Sequence, residues 1–169
     1  MTYVHISKAQ RALLLNQYRI LEILDTKNAE QYRNFQKILE RGFTILYSDI
    51  IRVCDEMTVE EGRYVLDVLD VFRTLKSSYE QLADKSGINP ERLKFEGFGG
   101  NGESQLTRFT EFLKEHAQYK ETVPDSINSH SPTEYRYRPM VERYHAIERR
   151  HKGLVNGGLN KEEILEILE

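Results

Sequence analysis

From Phe95 to Ser104 the chain reads Phe-Glu-Gly-Phe-Gly-Gly-Asn-Gly-Glu-Ser, and Gly97, Gly99 and Gly102 reproduce the G-x-G-x-x-G spacing of a dinucleotide-binding turn. Glycines serve such a turn by letting the backbone approach a pyrophosphate, but only where a buried parallel strand feeds them and a second strand follows the helix. Leu93-Lys94-Phe95-Glu96 is too short and too polar to be that strand, and the helix-like run after Ser104 empties into the loop Thr122-Val123-Pro124-Asp125-Ser126. What survives is an anion site. Amides at a helix start near Glu103 or Ser104 sit at the positive end of a dipole, with Phe98, Gly99, Gly100, Asn101 and Gly102 as the candidate loop. Glu103 would satisfy the same dipole more simply. Phe95 and Phe98 are expected to turn inward and anchor the loop, and no cofactor is expected.

The segment 79–95 resembles a helix-turn-helix, with Ala83 small, Gly87 four residues on and Leu93 six beyond that. Asn89 would cap the second helix and Pro90 would open it, leaving Lys85, Asn89, Arg92 and Lys94 as candidate DNA contacts. Against DNA stand Gly97, Gly99 and Gly100, which stop that helix early, and Glu91 and Glu96, which repel phosphate. A structural corner is the favoured reading. Further on, Tyr135-Arg136-Tyr137-Arg138-Pro139 begins a cationic run that reaches His151-Lys152. Arg136, Arg138, Arg149 and Arg150 form a candidate basic patch, read as a solvated helix face with an acidic or phosphorylated partner as the alternative.

Glu142-x-x-His145 and Glu148-x-x-His151 echo carboxylate-bridged metal ligands, but both lie on one helix where a dimetal site needs facing helices. No metal is expected. His116 and His151 fall on apolar stripes and are read as hydrogen-bonded core histidines. No Ser-His-Asp set, HExxH or Walker loop occurs, so no nucleophile is argued and the chain is read as non-catalytic.

The elements that must carry these residues read as helices. Ser7 with Gln10, Asn28 with Gln31, Thr58 with Glu61, Ser131 with Glu134 and Asn160 with Glu163 have capping-box spacing. Leu159 and Ile164 add a hydrophobic staple to the last. Val65, Val68, Phe72, Leu75, Tyr79 and Leu82 recur at 3.6-residue spacing and predict a long central helix from Thr58 to about Ser86, capped at Gly87. Leu13, Leu14, Tyr18, Leu21 and Leu24 define an inward face for a first helix, and Tyr32, Phe35 and Leu39 for a second ended by Gly42. Helices are also expected over 103–118, with Leu106, Phe109 and Leu113 inward, and over 133–151, with Met140, Tyr144 and Ile147 inward. Between those two, 121–131 reads as a polar loop. Residues 43–54 suit a helix or a strand equally.

Composition fits this picture. The 169 residues are 39% hydrophobic and 30% charged, with a formal charge of −3, so no global attraction to nucleic acid or anionic membrane exists. Cys54 is the single cysteine, which excludes an intramolecular disulfide and points to a reducing interior. Without a leader-like start or a run of 18 apolar residues, a cytoplasmic protein of one domain, 1–169, is expected.

Taken together, Leu14-Leu15-Asn16-Gln17-Tyr18, Ala29-Glu30-Gln31-Tyr32-Arg33, Glu40-Arg41-Gly42-Phe43 and Phe95-Glu96-Gly97-Phe98 resemble the YfbU family of bacterial proteins. The likeness is closest over 9–113 and thins after Glu121 to the region of Met140-Val141-Glu142-Arg143-Tyr144. It implies a compact, oligomeric helical protein with no catalytic residues to transfer. The expectation is therefore an all-α fold of six to eight helices with a long central helix and a glycine-rich loop, acting through protein contacts or self-association. A DNA-binding regulator using 79–95 is the alternative.

Overall fold

A computed structural model describes residues 4–51, 53, 55–99, 102–125, 127, 129, 131–151 and 158–169. Seven α-helices and three 3-10 turns occur among the described residues, so the fold is all-α as expected. Two compact units divide the chain, Met1–Glu56 and Met57–Glu169.

In the first unit, α1 (Lys8–Leu24) and α2 (Ala29–Arg41) form a helical hairpin. The Ser7 box is complete, its hydroxyl accepting from the Gln10 amide and the Gln10 side chain from the Ser7 amide. The Asn28 box does not form. Asn28 ends a 3-10 turn with φ −107° and ψ 13° instead of the extended backbone a cap needs, and its side-chain amide donates to Asp25 at 2.8 Å, where Tyr32 also donates at 2.9 Å. Gly42 ends α2 in the left-handed conformation, as expected. The ambiguous segment is helical, a 3-10 turn over Thr44–Leu46 and a short α3 over Tyr47–Ile50, while Arg52 and Cys54 lie outside the described residues.

The core of this unit is thin. Among its described residues only Leu39, Tyr47 and Ile50 are buried, with Leu14, Leu15, Tyr18 and Phe35 partly covered around them. Part of the inward face expected for α1 points out: Leu13 and Leu24 are 64% and 76% exposed.

The second unit is built on α4 (Val59–Gln81), opened by the complete Thr58–Glu61 box and buried along Val65, Val68, Phe72 and Leu75. It stops five residues short of Ser86. Asp84 accepts from the Ser86 amide at 2.9 Å, and this local turn competes with the helix, leaving Gly87 at φ +77° inside the turn and not at a helix cap. A 3-10 turn at Pro90–Leu93 follows, then α5 (Ser104–Glu115), α6 (Glu134–Arg150) and α7 (Lys161–Leu168). The Asn160–Glu163 box and the Leu159/Ile164 staple both form, with Leu159 and Ile164 buried. A buried Ser78 hydroxyl accepts from the Leu159 amide at 2.8 Å and fixes where α7 begins.

Phe72, Phe95, Phe98 and Tyr137 make an aromatic knot with ring centroids 5.2 to 5.9 Å apart, which confirms the inward turn of both loop phenylalanines. The segment expected to be a polar loop also contributes, since Val123 and Ile127 are buried.

Candidate functional site

The glycine segment is held by its own chain. Gly97 has φ +100°, and a Cβ there would lie 2.0 Å from the Ile127 carbonyl oxygen; a Cβ on Gly99 would lie 2.6 Å from that of Ser131. The close backbone approach at these two glycines is therefore to Ile127 and Ser131. Phe98 is fully buried, and Tyr137 donates to the Gly97 carbonyl at 3.2 Å. Gly100 and Asn101 lie outside the described residues; Gly102 has open space around it.

Glu103 explains the arrangement. Its carboxylate is buried and accepts from the amides of Gly99 (2.6 Å), Thr133 (2.8 Å) and Glu134 (2.9 Å) and from the Thr133 hydroxyl (3.1 Å). It serves the N-terminus of α6, not of its own helix, and it replaces the Ser131–Glu134 box, which does not form. Burial raises the affinity of this carboxyl for a proton, but the backbone donors outweigh burial and leave its pKa below the usual carboxylate range.

The residues of the helix-turn-helix reading separate. Pro90–Leu93 is a single 3-10 turn, too short to lie in a major groove as a recognition helix. Asn89 caps that turn by accepting from the Glu91 amide. Lys94 pairs with Glu91 at 2.6 Å, and Lys85 sits 5.1 Å over the Tyr79 ring. Arg92 lines a cleft of about 220 Å³ together with Arg136 and Arg143 of α6 and Tyr135, while Lys94 lines a different cavity. The rest of the basic patch is spread along α6: Arg138 pairs with Glu134 and covers the Tyr64 ring, Arg150 pairs with Glu166 at 2.7 Å, and Arg149 is exposed. Arg143 was legible as the i+7 companion of Arg136 on one helix face, with Met140 between them. Lys152 lies outside the described residues.

A more apolar cavity of about 430 Å³ lies over Phe72, Leu93, Phe95 and Val123, with Lys76 at its rim. The histidines hold structure together from the surface. His151 donates to Glu163 at 2.6 Å, His145 faces Asp67 at 3.8 Å, and His116 bonds the Phe112 carbonyl while stacking on that ring. His116 and His151 are exposed, which corrects the core reading; both close a helix at its C-cap, where the stripe has already run out. Among the described residues no three of His, Cys, Asp and Glu assemble as a metal site, and no helix is long and apolar enough to cross a membrane.

The family model of the YfbU domain matches residues 4–169. The chain belongs to the YfbU family. Among YfbU relatives, a UPF0304 protein of Methanocaldococcus jannaschii is 37% identical over 173 residues, covering 96% of this chain and 98% of that protein. Another UPF0304 protein, from Pasteurella multocida, is 28% identical over 146 residues, covering 85% and 89%. One source is an archaeon and the other a bacterium, so YfbU membership is not confined to bacteria. The resemblance carried by Leu14 to Phe98 is thus confirmed over nearly the whole chain. Neither relative's name specifies a reaction, and the function has to be argued from the chain itself.

Proposed function

We propose that this YfbU protein is non-catalytic and works by self-association through the outer face of α1. One observation carries the reading. Leu13, Ile20, Ile23 and Leu24 are 64%, 56%, 76% and 76% exposed on a single helix. At 100° per residue they fall with Asn16 and Gln17 within one arc of the helix that contains no charged side chain. An uncharged apolar patch of this kind is self-complementary, which is what a two-fold interface between identical copies requires. The thin core behind α1 supports the reading, because a hairpin that buries little of its own apolar surface gains most from a second copy. The polar groups singled out by sequence support the non-catalytic part: Glu103 and His151 are committed to structural bonds. A reducing cytoplasm is the setting we infer, supported by the single cysteine.

Sedimentation equilibrium of the whole chain tests it. The wild type should populate a dimer or higher species that Ile20→Glu with Leu24→Glu dissociates, while the helical spectrum stays unchanged. A wild type that stays monomeric at every concentration, or an assembly unaffected by both substitutions, overturns the reading.

A further inference from the structure

We propose that the cleft formed by Arg92, Arg136 and Arg143 binds a small doubly charged oxyanion carried on a flat apolar body, a phosphate monoester or a dicarboxylate of single-ring size. Three arginines line a cleft of about 220 Å³, brought there by the Pro90–Leu93 turn and by two residues one heptad apart on α6. Their charge is compensated unevenly. Arg136 has a carboxylate partner, Glu96 at 2.9 Å. Arg143 donates to the Ile167 carbonyl at 3.4 Å, a neutral acceptor that leaves its charge unmatched. The Arg92 amide donates to the Asn89 carbonyl at 3.1 Å, but its guanidinium has no hydrogen bond or ion pair among the described residues, and Glu169 is the one acidic residue on the lining. Arg138 and Arg150 of the same helix, by contrast, are each matched by a glutamate.

In a chain of net charge −3, three arginines against the side chains of Glu96 and Glu169 leave a local excess of positive charge, and planar forks suit two-oxygen acceptors. The remaining wall is apolar. Pro139, Met140 and Leu168 line the cleft, and Tyr135 stands at its edge with 72% of its surface exposed. An exposed tyrosine beside arginines offers a ring face to a ligand's ring at little entropic cost. The volume admits one ring with its oxyanion.

Isothermal titration of the whole chain with phenyl phosphate, phthalate and inorganic phosphate tests the assignment. At least one ring-bearing dianion should bind saturably at 1:1 and more tightly than inorganic phosphate. Tighter phenyl phosphate identifies a monoester, tighter phthalate a dicarboxylate. Arg92 touches nothing that folding needs, so Arg92→Ala should leave the melting temperature in place and weaken binding about tenfold, the value of one charged hydrogen bond. Arg149→Ala, on the same helix but off the cleft, should change nothing. Failure of all three probes to saturate, or binding that survives Arg92→Ala unchanged, overturns the proposal.

Discussion

The two units of this chain are written in the same helical pattern, yet they use their apolar residues differently. In the C-terminal unit the seam of α4 disappears into a core that also takes in the loop phenylalanines and Tyr137. In the N-terminal unit α1 carries seven leucines and isoleucines against three in α4, but none of its residues is buried. Periodicity reports that a helix has an apolar face; it does not report what covers that face. The second unit covers its own, and the first leaves a row of side chains in solvent.

Substitutions can sharpen or break this contrast. The largest effect belongs to the aromatic knot: Phe72→Ala should cost about 3 to 5 kcal/mol in urea unfolding, the usual range for an aromatic truncated in a tight core. A loss under about 1 kcal/mol would mean that the second unit is packed no better than the first. Next comes Glu103→Gln, which keeps the size but trades a carboxylate for an amide facing several donors; about 2 kcal/mol should be lost. Its signature is pH dependence. The folded pKa lies below the ordinary value of about 4.3, so the stabilisation is complete above that pH and is lost as pH falls through the folded value. The acid limb of the wild-type stability curve should therefore be steeper than that of Glu103→Gln. The smallest effect is expected at Ile20→Ser, within about 0.5 kcal/mol when measured at dilutions where only monomer is present. A loss of about 2 kcal/mol there would show that α1 is already covered within one chain and would erase the contrast.

How much could be read from sequence depended on how far apart the interacting residues stand. The boxes at Ser7, Thr58 and Asn160 formed because both partners sit within one turn and nothing stronger competes. The boxes at Asn28 and Ser131 failed for opposite reasons of range. Asn28 ends a local 3-10 turn whose backbone does not suit a cap; Glu103, thirty residues from Thr133, took over the start of α6. Gly42 was legible as a helix stop, whereas the structural need for Gly97 and Gly99 was not, because their close neighbours, Ile127 and Ser131, approach only in the folded chain. The cleft was half legible. Arg92 and Arg136 each stood out, but as members of separate patches; Arg143 was available as the i+7 companion of Arg136, and only the tertiary fold brings Arg92 to the pair.

The bonds of Glu103 also bear on how the C-terminal unit breathes. First-turn amides of a helix lack intrahelical acceptors and ordinarily exchange their hydrogens with water soonest. Those of Thr133 and Glu134 are instead closed off by a carboxylate that is itself only 7% exposed and that grips Gly99 at the same time. Releasing any one of these amides means withdrawing the shared acceptor from all of them. The start of α6 and Gly99 should therefore open together, with amides that hydrogen exchange finds slower than those of a freely fraying helix start.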